Sequence, residues 1–78
     1  MKYKTEGVCA KEIHFEIIDD KVHNVDFVGG CKGNTQGLAR LVEGMTVQDT
    51  IEKLQGIQCE FRATSCPDQL AQALKKNI

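Results

Sequence analysis

Lys11-Glu12-Ile13-His14-Phe15-Glu16-Ile17-Ile18-Asp19-Asp20-Lys21-Val22-His23-Asn24-Val25-Asp26-Phe27-Val28 alternates apolar and polar residues on both sides of an acidic break. Ile13, Phe15 and Ile17 fall on one side and Glu12, His14 and Glu16 on the other, the period of two of a half-buried strand. Asp19-Asp20-Lys21 reads as a turn, after which Val25 and Phe27 share one face and Asn24 and Asp26 the opposite one. Two such runs joined by a short turn predict an antiparallel hairpin with one face toward a core. Upstream, Lys2 to Glu6 is short and polar but carries Tyr3 and Thr5, which suits an outer strand and makes a small antiparallel sheet of two to three strands.

Beyond Val28 the alternation breaks at Gly29-Gly30-Cys31-Lys32-Gly33 and the period changes. Leu38, Leu41, Val42 and Met45 recur at the spacing of one helix face, with Asn34 or Thr35 as the N-cap and Gly44 as the stop. Thr46 with Asp49 three residues on has the form of a capping box, and Val47, Ile51 and Leu54 supply a second apolar stripe that Gly56 ends. Ile57 to Ala63 reads as a loop or a brief extended segment carrying Cys59. Thr64-Ser65-Cys66-Pro67-Asp68 then opens a last helix, with Pro67 at its first position, Asp68 at the second and Leu70, Leu74 and Ile78 as the buried stripe. Strands first and helices after predict an α+β domain, with about three helices packed on one face of the sheet. Residues 1–78 form a single domain, without repeat, linker or low-complexity tract.

A domain of 78 residues whose aromatic content is only 5% and which has no Trp must build its core from aliphatic side chains. Such a small core gains from a metal or a partner chain. The formal charge of -1 supplies no electrostatic footprint for a phosphate backbone, so nucleic acid is not an expected partner. The N-terminal Met1-Lys2-Tyr3-Lys4-Thr5-Glu6 has no apolar core of a signal peptide, and no apolar run approaches the roughly 20 residues that span a bilayer. The expected location is the cytoplasm, where thiols stay reduced.

That compartment gives the four cysteines their meaning. Cys9, Cys31, Cys59 and Cys66 each sit beside a Gly, a Pro or a turn signal, at the ends of predicted elements and not within apolar stripes. Buried structural cysteines behave as small hydrophobes inside a strand or helix face, so this placement points to sulfur chemistry: a metal centre or a redox pair. Cys66 lies at or next to the N-cap of the last helix and Cys31 in a glycine-rich turn leading into the first. Unpaired N–H groups and the helix dipole there favour thiolate, the form that binds metal. Glycines around Cys31 allow close approach to a ligand and equally serve a plain strand-to-helix turn. No C-x2-C knuckle is present, and six residues separate even Cys59 from Cys66, so a shared site has to be assembled from distant elements. His14 and His23 are candidate extra ligands, but both alternate with apolar neighbours and read more readily as solvent-facing residues of the hairpin. No nucleophile triad order, phosphate-binding G-x-x-x-x-G-K loop or pair of acids on a helix face suggests a hydrolase or a nucleotide enzyme.

The residues Thr64 to Asp68 spell TSCPD. Together with Gly30-Cys31-Lys32-Gly33-Asn34 and Leu38-Ala39-Arg40-Leu41 they make the whole chain resemble a stand-alone member of the TSCPD-domain family. The resemblance implies a small bacterial or archaeal protein whose domain also occurs at the end of adenosylcobalamin-dependent ribonucleotide reductases, which makes such a reductase a candidate partner. A chain of this length cannot hold the reductase barrel or its radical machinery, so nucleotide reduction by this chain alone is not expected. The order of Cys9, Cys31 in its G-G-C turn, the Glu43-Gly44-Met45-Thr46-Val47 segment and Cys66 more distantly resembles U-type iron–sulfur cluster scaffold proteins, which hold zinc or a nascent cluster on a strands-then-helices plan. Two departures separate the chain from them. Lys11 stands where the scaffold pattern has an acidic residue, and Cys59 is an added thiol. Both argue for a site held permanently by four sulfurs.

The favoured expectation is therefore a metal-binding module in which Cys9, Cys31, Cys59 and Cys66 surround zinc or, alternatively, an iron–sulfur cluster. A thiol–disulfide relay between Cys59 and Cys66 that passes electrons to a ribonucleotide reductase is a second reading, weakened by the absence of C-x-x-C. A third is an interaction module, with a homodimer as one form of it, whose cysteines only support the fold.

Overall fold

The computed structural model describes residues 1–5, 10–29, 32–58 and 64–77. Three strands, β1 (Lys2–Lys4), β2 (Ala10–Ile18) and β3 (Lys21–Gly29), precede three helices, α1 (Lys32–Val42), α2 (Val47–Leu54) and α3 (Cys66–Lys76). The strands form one antiparallel sheet in the order β1-β2-β3. The architecture is α+β, as the sequence pattern predicts. Asp19 and Asp20 both take positive φ, 51° and 64°, and so make the tight hairpin turn whose twist matches that of the strands it joins.

The ladder between β2 and β3 contains two irregularities that simple alternation misses. His14 faces Asp26 while Glu16 faces His23, so Asn24 and Val25 together oppose Phe15. Asn24 is the extra residue of a β-bulge, with φ at 55°. By strict alternation Val22 would share the outer face with Asn24 and Asp26. The bulge turns it inward, and Val22 is fully buried beside Phe27. Near the open end of the hairpin, Ala10 faces Gly29 while Glu12 faces Val28, which leaves Lys11 as an extra residue on β2 and brings Ala10 into the core at three residues from Ile13. Thr5 covers this second bulge: its hydroxyl donates to the Ala10 carbonyl and its N–H to that of Lys11.

All three helices cover the same sheet face. Ile13, Phe15, Val22 and Phe27 from the strands join Val42 of α1, Val47 and Ile51 of α2, and Leu70, Ala73 and Leu74 of α3 in one apolar cluster. Thr46 caps α2, its hydroxyl accepting the Asp49 N–H at 3.2 Å, and Gly44 and Gly56, at φ of 81° and 80°, end α1 and α2 as expected.

Helix α1 departs from its predicted form at both ends. It begins at Lys32, so Asn34 and Thr35 lie inside its first turn and are not its N-cap. Leu41, assigned to the buried stripe by spacing, is 77% exposed; the face turned inward runs instead through Thr35, Leu38 and Val42. The α1–α2 connector explains this choice. The Val22 N–H donates to the Met45 carbonyl and the Gly44 N–H to the Val22 carbonyl, both at 2.8 Å, so the connector adds itself to the outer edge of β3 and sets the rotation of α1. No helix among the described residues is long and apolar enough to cross a membrane.

Candidate metal centre

Of the four cysteines, only Cys66 lies among the described residues; Cys9, Cys31 and Cys59 lie outside them. Cys66 is the first residue of α3, half-buried and packed against the apolar cluster, with a free thiol. Ser65 is the N-cap of this helix, which places Pro67 and Asp68 one position later than the sequence pattern suggested. Proline is equally harmless there, since the first-turn N–H groups have no partner within the helix.

The residues around Cys66 are tightly bonded. The Ser65 hydroxyl accepts the Asp68 N–H at 3.2 Å and donates to the Ile57 carbonyl at 2.6 Å. The Asp68 carboxylate accepts the Gly56 N–H at 2.7 Å and the Thr64 hydroxyl at 2.5 Å, and Gln72 approaches at 3.5 Å. Gln69 donates to the Thr64 hydroxyl oxygen at 3.0 Å, which directs the Thr64 proton toward Asp68. Burial pushes the Asp68 carboxyl upward, but the bonds from Thr64, Gly56 and Gln72 and the charge of Lys75 outweigh it and leave the group below its ordinary value. It is a buried anion that accepts bonds from Gly56, Thr64 and Gln72 of the same chain.

The described neighbours of the other cysteines have a definite arrangement. Ala10, which follows Cys9 in sequence, is the cross-strand partner of Gly29, two residues before Cys31; Lys32, which follows Cys31, begins α1. The histidines are engaged elsewhere. His23 Nδ1 contacts the Glu43 carboxylate at 2.5 Å, and the other oxygen of Glu43 accepts the N–H of Asn24 at 2.9 Å. The bulge thus has a carboxylate clamp, and the bond from Asn24 and then that from His23 hold the Glu43 carboxyl below its ordinary value. On the exposed sheet face His14 Nε2 meets Glu12 at 2.9 Å, a bond that lowers the Glu12 carboxyl in the same way.

Among the described residues no group of three or more His, Cys, Asp or Glu side chains is placed to hold a metal ion. A shallow cleft of about 200 Å³ between β3 and α1 is lined by Val25, Asp26, Phe27, Thr35, Gln36 and Ala39. It is smaller than the roughly 300–1,000 Å³ of ordinary small-molecule sites.

Among known families, the model of the TSCPD domain matches residues 1–78, the whole chain. The chain belongs to the TSCPD family. No curated protein and no solved structure matches it. In this TSCPD domain the signature Thr64 to Asp68 is the cap and first turn of α3, and its hydroxyls and carboxylate bind backbone and side chains of the same molecule. The sequence places Ser65 and Asp68 at a helix start, and Asp68 could there hydrogen-bond near a metal, although helix N-terminal preference accounts for it. That Asp68 reaches across to Gly56 follows from how α2 and α3 pack, for which the linear pattern carries no signal.

Proposed function

We propose that this TSCPD domain is a small metal-binding module in which Cys9, Cys31, Cys59 and Cys66 hold zinc, with an iron–sulfur cluster as the alternative cargo, in a structural or accessory role. The observation that carries the reading is the pairing of Ala10 with Gly29 at the open end of the hairpin. Residues that flank Cys9 and Cys31 in the chain are thereby cross-strand neighbours, although 21 residues lie between the two cysteines in sequence. Cys66 at the first turn of α3, half-buried against the same core, supports it further. Four thiolates are a donor set suited to tetrahedral zinc or to a cluster, and ligation across elements would add stability to a core of mostly aliphatic side chains. His14 and His23 already have carboxylate partners and are not needed as ligands.

The test is elemental analysis of the freshly purified full chain with its visible spectrum and a thiol titration. One zinc per chain and thiols that react only after chelator is added are expected; an absorbing chromophore with stoichiometric iron would identify a cluster. A folded, metal-free protein with freely reacting thiols would sink the reading. The accessory role implies a protein partner, and a ribonucleotide reductase is the first to assay, by co-sedimentation with the metal-loaded and metal-stripped chain.

A further inference from the structure

Capping α3 requires only that the Ser65 hydroxyl accept the Asp68 N–H. A carboxylate at the third helical position is usually left in solvent, where the dipole alone rewards it. Here Asp68 is 7% exposed and Ser65 5% exposed, and both reach beyond their own helix. Ser65 takes the Ile57 carbonyl, Asp68 takes the Gly56 N–H, and Thr64 closes the ring by donating to Asp68. Gly56 itself stands at φ of 80°, the left-handed position that ends α2. The segment leaving α2 is thus bonded at two successive residues to the turn that carries Cys66. Cys59 follows Ile57 by two residues, and that much chain reaches at most about 7 Å.

From these bonds we infer that Thr64, Ser65 and Asp68 are positioning residues for the metal site: they fix the Cys66 turn and the chain entering the Cys59 segment in one relation, and so set metal affinity without being ligands. The inference rests on the four-cysteine reading above. It also gives the signature a division of labour. One residue of Thr64 to Asp68 supplies sulfur, Pro67 fits the first turn where no intrahelical N–H is needed, and the other three act through hydrogen bonds that hold the sulfur's backbone in place. Partners of this kind typically change metal affinity by 10- to 100-fold when removed.

The experiment compares the full-length zinc-loaded chain with Ser65→Ala, Ser65→Thr, Thr64→Val and Asp68→Asn, using chelator competition for zinc and the ligand-field bands of the cobalt-substituted protein. Ser65→Ala and Asp68→Asn are expected to weaken zinc binding by about 10- to 100-fold and to shift the cobalt bands, while Ser65→Thr, which keeps the hydroxyl, restores both. Val42→Ala lowers stability from the core without touching the clamp and is expected to leave the cobalt bands unchanged. Should Ser65→Ala fail to fold, Thr64→Val removes a single bond of the same ring and is read in its place. Folded variants that bind zinc as tightly as wild type, with unaltered cobalt bands, overturn the positioning role alone. A wild-type chain that takes up neither metal overturns the four-cysteine reading, and this inference with it.

Discussion

Asn24 makes the fold sensitive to a change on its surface. Its side chain is exposed, yet its backbone holds φ of 55° at the bulge that turns Val22 inward and offers its N–H to Glu43. Replacing it with Val keeps the N–H but puts a β-branched residue in the left-handed region, where an ordinary side chain already costs about 1–2 kcal/mol. The chain can escape that cost only by flattening the bulge. Flattening sends Val22, fully buried, to the outer face, and exposing a side chain of that size costs about 1.5–3 kcal/mol. The lesser of the two routes sets the loss, so Asn24→Val is expected to destabilise by about 1–2 kcal/mol. In a domain of this size that lowers Tm by roughly 5–15 °C. Asn24→Gly accepts the same φ freely and gives up only chain entropy, so it should stay within about 1 kcal/mol of wild type. Urea melts of the three proteins, followed by circular dichroism, give the comparison. If Asn24→Val proves as stable as Asn24→Gly, the bulge is not what orients Val22, and the account of the β2–β3 register is wrong.

Three further outcomes are expected. Leu41→Lys should leave the midpoint within about 0.5 kcal/mol, because the side chain is 77% exposed, whereas Val42→Ala beside it should cost about 2 kcal/mol for two buried methyl groups and the space they leave; equal effects would mean α1 is rotated from its described position. The Glu43 carboxyl, held below its ordinary value of 4.5 first by the Asn24 N–H and then by His23, contributes stability that is complete above that value and lost as pH falls through the lower folded one. Wild type should therefore lose stability below about pH 5 more steeply than Glu43→Gln, and parallel Tm-against-pH curves would contradict the clamp. On the four-cysteine proposal, stripping zinc from the loaded chain with chelator should lower the midpoint and expose the thiols together; thiols exposed with no change in stability would point to a metal held for a purpose other than the fold.

The hairpin was legible because period-two alternation and an Asp-Asp turn are local properties. The bulges were not, because each is decided by what lies across the strand. Asn24 leaves the ladder toward a carboxylate 19 residues away, and Lys11 does so under the cover of Thr5. Leu41 and Val42 both satisfy a helical stripe, and only the bonds between the connector and Val22 select which of them faces the core. At the candidate site, Pro67 and Asp68 announced a helix start within one residue of its true position. The bonds from Gly56 and to Ile57 could not be read, since they join segments whose approach depends on α2 packing against α3.

From the order of residues alone came the strand and helix periods, their sequence along the chain, the helix stops at Gly44 and Gly56, and membership of the TSCPD family. Each of these depends on neighbours within a turn or two, or on the identity of the residues themselves. Tertiary structure decided which side of α1 is buried, where the sheet departs from alternation, and that Asp68 serves a second element as well as its own helix. Those outcomes depend on hydrogen bonds and contacts between segments far apart in the chain, and such bonds exist only after the core has brought the segments together.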